Sequence, residues 1–530
     1  MILLSNRYLL IGGIFMSLCI AISCSNEDSK IIVPPPSEGA LLSEQFCSTC
    51  HIRPEPAELD KETWRNHILV RMGAFLGVYW VSAGNNTFFD TIPKEWVEPG
   101  EGGRRIFEAG IYPPQPKISR KDWLKIVEYY VGKAPEKASA YSPQIPLADS
   151  CQQFSVRKLF SGTEYASALT ALRFDPAGKQ LFAAFYKQEL VAISESGSRR
   201  SIAGKANAVV QIDFGPAHFT ITDIGSMAGT DLPLGKVRVA ASPADYARGK
   251  YVFVLDSLQR PVHTNFADLD ADGDEDAVIC EFGRYLGALS WYENTGVQTH
   301  VRHELFHDDG PTVTHILDMN GDKLPDIVAL MANADEGIDL FQNQGKGQFL
   351  RRRLLRFSPT YGCTGLDVRD MNGDGREDLV LCNGDNMDYS PILKRNHGIR
   401  IFLQEKSLEF KETVFLPLNG AYGIEVRDFD LDGDPDIAAV SFFPDFNSRP
   451  GEAFVFFRNT GKLEFEACTI PEAKLSRWML IDAGDVDADG DQDIVLGAFN
   501  VKIADAGENR LKEWIANDVP ILLLENQAIK

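Results

Sequence analysis

Three rhythms of apolar and polar positions divide the chain. The first is a continuous apolar run, Tyr8 to Ile22, preceded by Arg7. It is too short to be a committed membrane span and reads as an export signal ending at residue 23. The second rhythm, from Glu38 to about Gly132, is helical. Ser119-Arg120-Lys121-Asp122 forms a capping box, Trp123, Ile126, Val127 and Tyr130 make an apolar stripe, and Gly132 and Pro135 end the helix. An earlier helix opens near Asp60. Trp64, Ile68 and Met72 recur there at i, i+4 and i+8 on one apolar face, with His67 and Arg71 on a polar flank. The third rhythm starts at Cys151: short β-runs separated by Asn, Gly and Asp turns, repeating every 50–58 residues. Proline-bearing stretches at 24–37 and 134–150 read as a tether and a linker. The pattern therefore predicts a multidomain chain: a small all-α domain over 38–133, then an all-β repeat domain over 151–530.

Composition sharpens this picture in two places. A length of 530 residues requires two or more cores. A net charge of −22 excludes nucleic acid as the partner, because phosphate binding needs an excess of Lys and Arg. Of nine cysteines, two lie in the export region and two at 47 and 50. The remaining five, Cys151, Cys280, Cys363, Cys382 and Cys468, are an odd set in an oxidising compartment, so at least one stays free within the chain. Cys363 and Cys382 could bridge a hairpin or serve as small buried apolar residues.

Much of the negative charge is organised. Five segments share one template, Asp268–Asp276, Asp318–Asp326, Asp370–Asp378, Asp428–Asp436 and Asp485–Asp493. Positions 1, 3, 5 and 9 carry oxygen ligands: Asp268, Asp270, Asp272, Asp276; Asp318, Asn320, Asp322, Asp326; Asp370, Asn372, Asp374, Asp378; Asp428, Asp430, Asp432, Asp436; and Asp485, Asp487, Asp489, Asp493. This spacing suits a hard cation with six to eight oxygen ligands, and Ca²⁺ is expected, up to five in all. An EF-hand is excluded, because position 12 is Ile279, Ala329, Leu381, Ala439 or Leu496 where Glu is needed. Each loop therefore runs into a strand. In the second copy Lys323 replaces the turn glycine.

Cys47-Ser-Thr-Cys50-His51 carries a different chemistry. Two thiols one helical turn apart add to the vinyl groups of haem, and the adjacent histidine supplies the proximal iron ligand. One haem c is expected. The sixth iron ligand is Met72, His67, or none, with Met72 favoured because an apolar helix face should meet the haem.

Three resemblances extend these readings. Ala21-Ile22-Ser23-Cys24 resembles a bacterial lipobox, which implies lipidation at Cys24 and anchoring in the cell envelope, on the periplasmic or outer surface. Residues 38–133 resemble a class I cytochrome c, although Tyr112-Pro-Pro-Gln-Pro116 lacks the usual distal methionine. The acidic loops resemble FG-GAP/VCBS repeats of integrin-type β-propellers, in which such a loop joins the first two strands of each blade. Degenerate units near Asp175-Pro-Ala-Gly178 and Asp213-Phe-Gly-Pro216 then bring the blades to seven, with Ile521–Asn526 as a closing strand beside Cys151 onward. The whole resembles cytochrome-plus-propeller lipoproteins of Bacteroidetes and Planctomycetes.

In that geometry the loops joining second and third strands share the opposite face of the disc. They gather Arg284, Asp335, Glu336, Asp385, Asn386, Asp388, Tyr389, Lys394, His397 and Arg449 as a candidate surface for a redox partner, small molecule or glycan. His300, His303 and His307 lie on an outer strand and do not converge. The leading functional reading is electron transfer outside the cytoplasm by a membrane-anchored cytochrome fused to a docking propeller. The alternatives are a haem-coupled oxidoreductase and a glycan-binding or adhesion protein.

Overall fold

The computed structural model describes residues 35–529 apart from 83–85, 139, 142–143, 161–167, 204–207, 216–217, 297–298, 334, 387–391 and 503–506. The predicted signal and the lipidation residue Cys24 lie outside the described residues, as do Asp388 and Tyr389. The chain divides into two units, residues 1–37 and 38–530, and the second is described here. Among the described residues no helix is long and apolar enough to cross a membrane.

From residue 154 onward the β-runs form a seven-bladed propeller of antiparallel four-stranded meanders. Blades 1 to 5 follow chain order, with first strands at Leu169–Asp175, Val209–Phe214, Pro261–Ala267, Pro311–Leu317 and Cys363–Arg369. Blade 6 begins at Ala421–Arg427 and blade 7 at Trp478–Gly484. The second strands explain the apolar runs in the sequence. Asp276–Glu281, Asp326–Met331, Asp378–Asn383, Asp436–Ser441 and Asp493–Ala498 are buried at every position. They are covered on both faces by neighbouring blades, so they carry no polar alternation. Outer strands such as Phe349–Arg356 have no buried position and carry charged residues, here Arg351, Arg352, Arg353 and Arg356. A register shift recurs at the start of the first strand, for example at Pro261/His263, Pro311/Val313 and Cys363/Gly365. A bulge there raises the local twist of each blade at the same point.

The ring is closed by mixing chain ends. Phe154–Phe160 pairs antiparallel with Ile521–Asn526 and is the fourth strand of blade 7. Just upstream, Leu147–Ala148 adds a parallel fifth strand to Phe465–Cys468 of blade 6. A disulfide joins Cys151 to Cys468, across 317 residues of sequence. Cys363 and Cys382 are free and buried, as is Cys280.

The N-terminal helices obey their sequence signals with one exception. Ser119 Oγ accepts from Asp122 N at 3.1 Å and starts helix Arg120–Lys133, whose Trp123, Ile126, Val127 and Tyr130 are buried. Helix Glu38–Cys47 crosses it so closely that a methyl on Gly39 would collide with the Lys125 carbonyl. Asp60 caps the next helix, accepting from Thr63 N at 2.7 Å. The exception follows at once: Trp64–Ile68 is a π-helical turn, with Leu69 N donating to Trp64 O. One extra residue in the turn rotates everything after it. The buried stripe is therefore Trp64, Leu69 and Gly73, while Ile68 and Met72 are half-buried on its flank. The segment is also not a separate all-α body as the periodicity predicts. It includes the hairpin Tyr79–Val81/Thr87–Phe89 and belongs to the same unit as the propeller.

Candidate functional site

All five acidic loops join first and second strands, so they crowd one face of the disc. Each is shaped by its own carboxylates. At position 1, Asp268 accepts from Ala271 N at 2.8 Å and Gly273 N at 3.1 Å, and Asp370 accepts from Gly373 N at 2.7 Å and Gly375 N at 2.8 Å. Lys323 fills the glycine position of the second copy with φ +71°. Three copies bring three carboxylates within 4.8 Å of one another: Asp268, Asp270 and Asp276; Asp428, Asp430 and Asp436; and Asp485, Asp487 and Asp489. The copies carrying Asn320 and Asn372 gather fewer charges. Asn320 donates to Asp322 at 2.9 Å, and Arg376 pairs with Asp374 at 2.5 Å.

Position 9 has a second job that the loop template did not reveal. Asp276 receives Leu269 N at 3.0 Å on one oxygen and Asn294 N at 2.8 Å on the other. Asp326, Asp378, Asp436 and Asp493 repeat this bridge to Asn343, Gln404, Asn459 and Asn526. Burial pushes Asp276, Asp326 and Asp493 up to about 6 and Asp436 to about 7, against these backbone donors. The amides at the far end also work between blades. Asn343 Nδ2 donates to Leu269 O at 2.9 Å in blade 3, and Asn526 Nδ2 to Phe429 O at 2.7 Å in blade 6. A recurring Asn before the Gly turn, as in Tyr292-Glu-Asn294, was the available signal.

The haem-type motif closes helix Glu38–Cys47 and the turn after it. Cys47 is half-buried, Cys50 is exposed, and both thiols are free. Burial pushes the Cys47 thiol up to about 11. His51 is buried, and its Nδ1 lies 2.8 Å from Ile52 O. A ring that donates from Nδ1 presents Nε2 as the ligand nitrogen. Cys47, Phe46, Ile68 and Met72 all pack against the core of Trp64, Trp80, Trp123 and Tyr130, while His67 is exposed. The indole nitrogens of Trp80 and Trp123 are buried in that core without an acceptor. Two free thiols and a buried imidazole with Nε2 left as the ligand nitrogen are a donor set that fits a covalently held haem.

The opposite face of the propeller is occupied from within the chain. Glu98 accepts from Thr230 Oγ1 at 2.5 Å and Asp231 N at 3.0 Å. Arg105 donates to Gln259 at 3.1 Å and Arg71 to the Tyr285 hydroxyl at 3.1 Å. Ser358 donates to Glu58 at 2.6 Å, and Ile392 packs on the helical core. Tyr285 is wedged among Phe75 and Tyr112, at ring distances of 5.9 and 6.2 Å.

The residues expected to form an open binding surface here are largely committed. Glu336, Asn386, Lys394 and His397 are buried; Asn386 and Lys394 serve their own loop, while Glu336 and His397 hold the segment that enters the next blade. Glu336 accepts from Cys363 N at 3.0 Å, Asn386 donates to Ile392 O at 2.7 Å, and Lys394 donates to Asp385 O at 3.2 Å. His397 accepts from Gly420 N at 3.4 Å. Asp335 pairs with Arg356 at 2.5 Å, Arg449 with Glu452 at 2.5 Å, and Arg284 donates to Gly229 O at 3.3 Å. His300, His303 and His307 go to separate neighbours: Phe253, Glu293 and Glu304.

Residues 318–381, from the loop Asp318–Asp326 through the loop Asp370–Asp378 and into the strand after it, match the family model for an FG-GAP-like repeat. No curated protein is detectably similar in sequence. Among solved structures, the computationally designed Ika8 protein is 13% identical, with a TM-score of 0.38, over 64% of this chain and 84% of that one. Sqt1 of Saccharomyces cerevisiae is 10% identical, with a TM-score of 0.41, over 70% of this chain and 99% of that one.

Proposed function

We propose that this chain is an electron-transfer protein of the cell envelope, lipid-anchored at Cys24, in which a c-type cytochrome segment rides on a calcium-binding propeller. The observation that carries the reading is the arrangement around His51. Cys47 and Cys50 stand one turn apart as free thiols, and the imidazole is fixed through Nδ1. Cys47 and Cys50 would hold the haem covalently, His51 would ligate the iron, and Met72 would be the sixth ligand. The haem, once bound, supplies one-electron chemistry. The protein's own part is to exclude water with Trp64, Trp80, Trp123 and Tyr130 and to orient His51 through Ile52. FG-GAP-type repeats on a propeller support a docking role for the scaffold. The partner reading is a redox protein rather than an organic substrate.

Co-expression with a c-type cytochrome maturation system tests the first claim. One covalent haem per chain is expected on a denaturing gel, and none in Cys47→Ala/Cys50→Ala; a wild-type chain without covalent haem sinks the proposal. In the haem-loaded protein, Met72→Ala should abolish the sulfur-to-iron charge-transfer band and lower the reduction potential, while His67→Ala leaves both unchanged.

A further inference from the structure

Repeats differ most where the ring closes, between blade 7 and blade 1. Blade 7 carries the acidic loop Asp485–Asp493, whereas the matching hairpin of blade 1 is a short turn, Pro176-Ala-Gly-Lys179. Lys179 adopts φ +47° and points across the junction. Its Nζ donates to Asp485 Oδ2 at 3.0 Å and to the Asp485 carbonyl at 3.2 Å. Asp485 is position 1 of its loop, the carboxylate that shapes the turn in every other copy. Among the described residues, Asp268, Asp318, Asp370 and Asp428 receive backbone N–H groups at that position and no lysine or arginine. The contrast is sharpest with the loops at 268 and 428, which also gather three carboxylates within 4.8 Å.

We propose that Lys179 is a tethered counter-ion that competes with calcium for the blade 7 loop. The inference rests on the calcium reading of the loops. An ammonium at 3.0 Å occupies the oxygen a divalent cation needs and already neutralises part of the site's charge. Calcium must displace it, so this loop is the weakest of the three all-aspartate sites. With calcium scarce, the lysine holds blade 1 to blade 7. With calcium abundant, the metal takes the loop and Lys179 is released to solvent. Arg173, paired with Asp482 at 3.1 Å, ties the same two blades independently of either state.

Calorimetric titration of the metal-free, full-length protein with calcium alone tests the proposal. Lys179→Met should tighten one site by roughly fivefold, the upper range for a half-exposed ion pair, and leave the others unchanged. Lys179→Arg should keep the wild-type isotherm. Adding Asp487→Asn to Lys179→Met should remove the tightened site, which assigns it to blade 7. In chelator, Lys179→Met should melt below the wild type, and calcium should close that gap. Calcium binding with identical isotherms for wild type and Lys179→Met overturns the competition alone. Absence of calcium binding in both proteins overturns the calcium reading and the competition together.

Discussion

Glu336 shows how a single position can mislead when read from sequence. Its place in a polar loop suggested a surface acid, but the loop folds inward and the carboxylate becomes the acceptor for Gly362 N and Cys363 N. Burial raises it from an ordinary carboxylic value of 4.5 to about 7. The folded state therefore holds its proton more tightly than the unfolded chain. Its contribution is full below about pH 4.5 and is lost as pH rises through about 7, worth at most about 3 kcal/mol. Melting curves of Glu336→Gln should fall less steeply than wild type between about pH 5 and 7. An unchanged slope would show that the carboxylate is solvated. His51 is the opposite case: the haem role proposed for it rests on the spacing of Cys47, Cys50 and His51 alone, a pattern visible without any folding detail.

At the scale of elements, legibility followed repetition. Capping boxes, the blade period and the acidic loops each rest on several residues in fixed register, so local variation does not hide them. The π-turn at Trp64–Ile68 rests on one inserted residue that leaves no mark in composition, and the face assigned to Met72 shifted with it. The acidic loops divide into two functions that the shared aspartates conceal. Asp430 is a half-buried carboxylate aimed at the loop centre, whereas Asp436 is fully buried and bridges Phe429 N and Asn459 N. Asp430→Ala should cost calcium affinity while leaving the melting temperature in chelator unchanged. Asp436→Ala should lower the melting temperature in chelator as well, reflecting a stability loss of about 1–3 kcal/mol for each backbone donor left without an acceptor. Equal effects of the two variants in chelator would refute the division. For the unmodified protein, calcium should raise the melting temperature with the logarithm of its concentration above the dissociation constant, and chelation should reverse this.

For the whole molecule, long-range pairing was the least legible feature. Five cysteines allow many pairings, and only the meeting of blade 6 with the chain's entry strand selects Cys151 with Cys468. Cys468→Ser should cost about 2–4 kcal/mol in denaturant melts, and reductant should lower the wild type to the same value. The docking of the helical segment on the propeller was equally invisible, because Glu58, Glu98 and Arg105 read as ordinary surface charges. Tyr285→Ala removes the aromatic wedge between them. Hydrogen exchange should rise in residues 69–75 and 101–112 with the propeller strands unaffected; protection unchanged in both would mean the wedge is dispensable.

The closing strand Phe154–Phe160 has a consequence in time. It leaves the ribosome before every strand of the seven four-stranded meanders except the short added strand Leu147–Ala148, yet its partner, Ile521–Asn526, is made only after all the intervening blades. Contacts between such distant residues form late, after the intervening loop has been organised. Through most of synthesis this strand is thus an unpaired edge, open to chaperones and proteases alike. A chain that stalls before residue 521 has no means of shielding it, so synthesis of Ile521–Asn526 and resistance to degradation become the same event.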